Sequence, residues 1–83
     1  MPRIHPLRKD IYQYLEAHGL VKKWEKAEAL FITNPRHPSL HTELLEPKEN
    51  QIYSFRLDQQ YRVLFLVHGD TSIEVIKITN HYR

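Results

Sequence analysis

IYSFRLDQQYRVLFLVH, residues 52–68, decides the fold of this chain. Tyr53, Phe55 and Leu57 alternate with Ser54 and Arg56, the period of a strand with one buried face. Tyr61, Val63, Phe65 and Val67 continue that face in a second run. Leu64 and Leu66 load the opposite face as well, so this second run reads as a central strand covered on both sides. Asp58-Gln59-Gln60 between the runs is read as a three-residue loop. It places Leu57 opposite Tyr61 and therefore Arg56 opposite Arg62. Downstream, His68-Gly69-Asp70 is a turn, and Thr71 to Thr79 is a third strand.

Upstream the period changes. Residues 7–18, LRKDIYQYLEAH, have helical spacing, with Leu7, Ile11, Tyr14, Leu15 and His18 on one side and Gly19 as the natural terminator. Residues 22–33, KKWEKAEALFIT, form a second helix with Trp24, Ala27, Leu30 and Phe31 as its apolar stripe, ended by Asn34-Pro35. The short gap between the helices predicts an antiparallel hairpin. Pro35, Pro38 and Pro47 exclude long elements from 34–50. Leu40, Leu44 and Leu45 are expected to pin that loop to the core, with a short strand or turn near 43–45, and Arg3-Ile4 can add a very short edge strand. The predicted fold class is α+β: an N-terminal antiparallel helical hairpin packed on a small antiparallel sheet of three to four strands. Eighty-three residues make a single domain, 1–83.

Composition narrows the function classes. The chain has no cysteine, so a disulfide framework and a thiolate metal site are both excluded. Its six histidines show no metal-ligand spacing, and no metal or cofactor is expected. No apolar run approaches a membrane span, and the start MPRIHP lacks the apolar core of a signal peptide, so a cytoplasmic location and no membrane partner are expected. A net charge of +2 does not by itself argue for nucleic acid; its distribution matters more.

Arg56 facing Arg62 is unfavourable unless an anion offsets the pair. A bound phosphate would do so, since a guanidinium meets two oxygens at once. So would a salt bridge to Glu43 or Glu46, and two solvated arginines are the plain alternative. Lys22, Lys23 and Lys26 read as a solvated helix face. Tyr12, Tyr14, Trp24 and Tyr53 read as core or half-buried aromatics. The last three residues, His81-Tyr82-Arg83, put a proton carrier, a stacking ring and a phosphate ligand side by side.

Three stretches carry a family resemblance: NPRHPSLHTELLE at 34–46, IYSFRLDQQYRVLFLV at 52–67 and ITNHYR at 78–83. Together they resemble the toxins of bacterial type II toxin–antitoxin pairs, the RelE/ParE superfamily. The His81-Tyr82 ending is similar to its RNA-cleaving RelE/YoeB-like branch. The first strand and first helix are shorter than that pattern.

The resemblance implies a ribosome-dependent mRNA endoribonuclease that works without metal. The 2′-hydroxyl attacks the adjacent phosphate, giving a 2′,3′-cyclic phosphate or its opened 3′-phosphate, and a 5′-hydroxyl. Glu43, Arg62, His81 and Tyr82 are the matching catalytic positions, with Glu46 a rival for Glu43. Glu43 is assigned as general base and His81 as general acid, roles that can be exchanged. Arg56, Arg62 and Arg83 would hold phosphate, and Tyr82 would stack on or orient a nucleotide. The implied partners are a cognate antitoxin and the ribosome with its bound mRNA. The alternatives are a gyrase-inhibiting toxin of the same fold and a catalytically inactive relative that still binds antitoxin.

Overall fold

The structure, a computed structural model, describes residues 3–80. Helix α1 spans Lys9–Ala17 and α2 spans Val21–Thr33. Strands β1 (Glu43–Leu44), β2 (Tyr53–Arg56), β3 (Arg62–Val67) and β4 (Ile73–Thr79) form one antiparallel sheet in the order β1-β2-β3-β4. Single turns of 3₁₀ helix at Pro38–Leu40 and Lys48–Asn50 punctuate the proline-rich segment. The α+β reading therefore holds, with the fourth strand supplied by 43–44.

The central hairpin closes in the expected register. The Leu57 amide donates to the Tyr61 carbonyl at 2.9 Å, and Arg56 pairs with Arg62 across the ladder. Asp58 stabilises the loop because its Oδ1 accepts the amides of Gln60 (2.8 Å) and Tyr61 (2.7 Å), an Asx turn. Its Oδ2 meets the Lys23 ammonium of α2 at 2.8 Å. The hairpin tip is thus tied to the helix above it, and Lys23 is not merely solvated. Burial pushes the Asp58 carboxyl up, but the Lys23 ammonium and the two amides outweigh it and hold the group below its ordinary value.

Helix α1 ends in a Schellman arrangement. Gly19 takes φ +67°, its amide reaches the Glu16 carbonyl at 3.2 Å, and the Leu20 amide reaches Leu15 at 2.8 Å. Leu15 and Leu20 are both buried, which supplies the apolar contact of that motif and reverses the chain into α2. Leu7 lies before the helix. His18, placed by periodicity on the apolar side, is exposed at the helix end and stacks on Tyr14 with ring centroids 4.0 Å apart.

The core is an aromatic layer between α2 and the β2–β3 hairpin. Phe31 lies 5.0 Å from Phe55 and 5.4 Å from Phe65, and Trp24 stacks at 6.3 Å on Phe55. Ile11 and Leu15 of α1 and Val75 and Ile78 of β4 extend the same core, and Leu40 plugs it from the loop. Each large side chain buried this way contributes about 1.5–3 kcal/mol.

Three apolar expectations are corrected. Val67 continues the core face, yet it is 48% exposed. Helix α2 stops at Asn34-Pro35, so the sheet beyond it is unroofed and forms an open groove of about 690 Å³ lined by Phe31, Leu44, Tyr53, Phe65 and Val67. Leu64 and Leu66 are only half-buried, because both helices pack on the other face. Tyr12 is also exposed rather than core. At the N-terminus, Ile4 makes an isolated parallel bridge to Ile73, held by the His5 amide to the Ile73 carbonyl (2.9 Å) and the Ile73 amide to the Arg3 carbonyl (2.8 Å). This is the short edge expected there.

Candidate active site

The helix-free face of the sheet carries the polar side chains of the hairpin. Strand alternation sends Phe55 and Val63 into the core, so Ser54, Arg56 and Arg62 point the other way. Ser54 is paired directly with Glu43 of β1, and Arg62 with Thr79 of β4. Four strands thereby bring Glu43, Ser54, Arg56, Arg62 and the end of β4 onto one surface.

Arg62 is the centre of this surface. It is only 7% exposed. Its Nε and Nη2 donate to the Ser54 hydroxyl at 3.0 and 2.8 Å, and Nη2 also donates to the His41 carbonyl at 2.7 Å. His41 presents that carbonyl from the left-handed region, φ 47° and ψ 49°, which few non-glycine residues adopt. Glu43 Oε1 stands 3.9 Å from Arg62 Nη2, an ionic contact longer than a hydrogen bond, and its side chain is 47% exposed. Burial pushes the Arg62 guanidinium down from its ordinary value; Glu43 pulls it back up, and Arg56 lowers it further. An arginine so far from neutrality remains cationic at physiological pH.

The arrangement is a partly buried cation in an oriented frame, with a carboxylate at its edge and a second guanidinium beside it. Such a site suits a phosphodiester, whose negative charge rises in the transition state of cleavage. Among the described residues no three His, Asp or Glu side chains form a group that could hold a metal ion. No helix there is long and apolar enough to cross a membrane.

This architecture occurs in known toxins. The YoeB/ParE toxin from Agrobacterium tumefaciens superposes with a TM-score of 0.70 at 20% identity, covering 98% of both chains. The chain has the RelE/ParE toxin fold. YafQ from E. coli matches with a TM-score of 0.71 at 8% identity, covering 98% of this chain and 92% of that one. The toxin in the YoeB–YefM toxin–antitoxin complex of Staphylococcus aureus gives 0.67 at 21% identity, over 99% and 97%. No family model matches the sequence. A 28-residue stretch is 61% identical to an uncharacterized protein of Haemophilus influenzae, across 34% of this chain; the chain spans only 28% of that relative's length.

Within the RelE/ParE toxin fold, the site residues read from the sequence divide into two groups. Glu43, Arg56 and Arg62 are brought onto one surface, and it is Glu43 that makes the ionic contact with Arg62. His81, Tyr82 and Arg83 lie outside the described residues. Sequence reading alone passes over Ser54 and His41. The hairpin register does hold a signal for Ser54: it opposes Leu64, one diagonal step from Arg62. Nothing in the sequence marks the His41 carbonyl, which is a backbone group turned by a local left-handed residue.

Proposed function

We propose that this protein is the toxin of a type II toxin–antitoxin pair and cleaves ribosome-bound mRNA by metal-independent attack of the 2′-hydroxyl. The observation that carries the reading is Arg62, buried and oriented, with Glu43 at 3.9 Å and Arg56 directly opposite, on a sheet face of the toxin fold. Arg62 pairs with Thr79 of β4, two residues before His81 in the sequence. A glutamate, an imidazole and two guanidiniums are the parts this chemistry needs, and Glu43, Arg56 and Arg62 supply three of them on one surface.

In the reaction, Glu43 removes the 2′-hydroxyl proton and His81 protonates the departing 5′-oxygen, or the two exchange roles. Arg62 and Arg56 bind the phosphate and stabilise its pentacoordinate state. Tyr82 stacks on the nucleotide, and Arg83 contacts the backbone. The partners are a cognate antitoxin, as in the S. aureus complex of the same fold, and the translating ribosome in the cytoplasm.

The test is mapping of mRNA 5′ ends on translating ribosomes with parent and His81→Ala proteins. Discrete cuts within ribosome-bound codons that vanish in His81→Ala are expected. Equal cutting by parent, His81→Ala and Arg62→Ala proteins would sink the assignment of the site. No cutting by the parent would turn attention to gyrase supercoiling or to antitoxin binding without catalysis.

A further inference from the structure

Ser54 is fully buried at the centre of β2, between Tyr53 and Phe55. A buried hydroxyl costs stability unless it is bonded, and most strand interiors place an apolar or β-branched side chain at such a position. Here the oxygen is used twice by one partner. Nε and Nη2 of Arg62 both donate to it, and the His41 carbonyl takes a further bond from Nη2. The two acceptors come from β2 and from the loop before β1. Together they fix both the direction and the plane of the guanidinium.

The chemical nature of these acceptors matters as much as their placement. A carboxylate at position 54 would pair bidentately with Arg62 and compete with phosphate. A hydroxyl and a carbonyl orient the guanidinium while leaving its charge in place. Among the described residues, Glu43 brings its carboxylate nearby: it pairs with Ser54 across the ladder but stays 3.9 Å from Nη2. Arginine has considerable rotamer freedom, and a frame that removes that freedom before substrate arrives leaves less ordering for the transition state.

We infer that Ser54 is a positioning residue for RNA cleavage: its buried hydroxyl holds the Arg62 guanidinium in the orientation that meets the scissile phosphate. This inference rests on the nuclease reading given above, and the experiment separates the two.

The variants are Ser54→Ala, which removes the acceptor, and Ser54→Thr, which keeps it with a side chain suited to a strand. The first readout is the Arg62 Nε–Hε resonance in ¹⁵N-labelled protein, assigned with Arg62→Lys. It should be distinct and slow to exchange in the parent, shifted and fast-exchanging in Ser54→Ala, and parent-like in Ser54→Thr. The second is single-turnover cleavage of mRNA on translating ribosomes. Ser54→Ala should lower the maximal rate roughly 10- to 100-fold, the scale of an ångström misplacement, with half-saturation within about twofold of the parent on the same argument. Ser54→Thr should recover most of the rate. Parent-like cleavage by Ser54→Ala overturns the inference, as does lost cleavage with an unchanged Nε–Hε resonance. A parent protein that cuts nothing overturns the nuclease reading and the role in cleavage with it, while the resonance still decides whether Ser54 orients Arg62.

Discussion

Arg56 lies directly across the β2–β3 ladder from Arg62, yet the two guanidiniums have opposite environments. Arg62 is buried and bonded to Ser54 and His41; Arg56 is half-buried, and among the described residues no hydrogen bond or ion pair holds its side chain. Arg62 is held in a fixed orientation, whereas Arg56 is not. Facing like charges cost a few tenths to about 1 kcal/mol.

That asymmetry predicts opposite stability effects. Arg56→Gln should leave the fold unchanged or stabilise it by up to about 0.5 kcal/mol. Arg62→Ala should destabilise by roughly 1–3 kcal/mol, because it strands the Ser54 hydroxyl and the His41 carbonyl. Urea denaturation of the two variants checks the signs, while both should lose RNA cleavage.

Glu43 and Glu46 are separated by their placement. Glu43 reaches Arg62 at 3.9 Å, whereas Glu46 is exposed beyond β1. Glu43→Gln should cut the single-turnover cleavage rate by about 10²-fold or more, the usual size of a general-base contribution, with Glu46→Gln close to the parent. The reverse pattern would move the base to position 46.

Asp58 predicts a pH dependence. Its folded-state value is depressed, so its contribution is fully present above the unfolded value near 4 and fades as pH falls through the lower folded value. Asp58→Asn should therefore be less stable than the parent at pH 6, and the gap should narrow as pH falls below the unfolded value and through the lower folded one. A gap that is constant across this range, measured by thermal melts, would remove the Lys23–Asp58 pair as its cause.

Gly19 at φ +67° has open space around its Cα. The penalty of Gly19→Ala is therefore conformational alone, about 1–2 kcal/mol, with no clash to relieve. Gly19→Asn should cost less, since asparagine tolerates this region. Equal stability of all three proteins in chemical denaturation would contradict the Schellman geometry.

Phe55 is fully buried between Trp24, Phe31 and Phe65. Phe55→Ala should cost about 3–5 kcal/mol, much of the total stability of a small domain. Far-UV circular dichroism at 37 °C should then report a largely unfolded population.

Short-range regularities made most of this protein legible from its residues. Alternation over 53–67 and the three-residue loop at Asp58 specify a register in which Arg56 meets Arg62, because slipping it by one residue would turn Phe55 and Phe65 to solvent. Gly19 and Asn34-Pro35 bound the helices through backbone sterics that act locally. Where a helix stops relative to a strand distant in sequence is different. The exposure of Val67 follows from α2 ending short of it, and the half-burial of Leu64 and Leu66 follows from both helices choosing one face. The frame around Arg62 was likewise decided only in three dimensions. A hydroxyl eight residues away and a carbonyl twenty-one residues away converge on one guanidinium, and a backbone oxygen has no residue type by which a sequence can announce it.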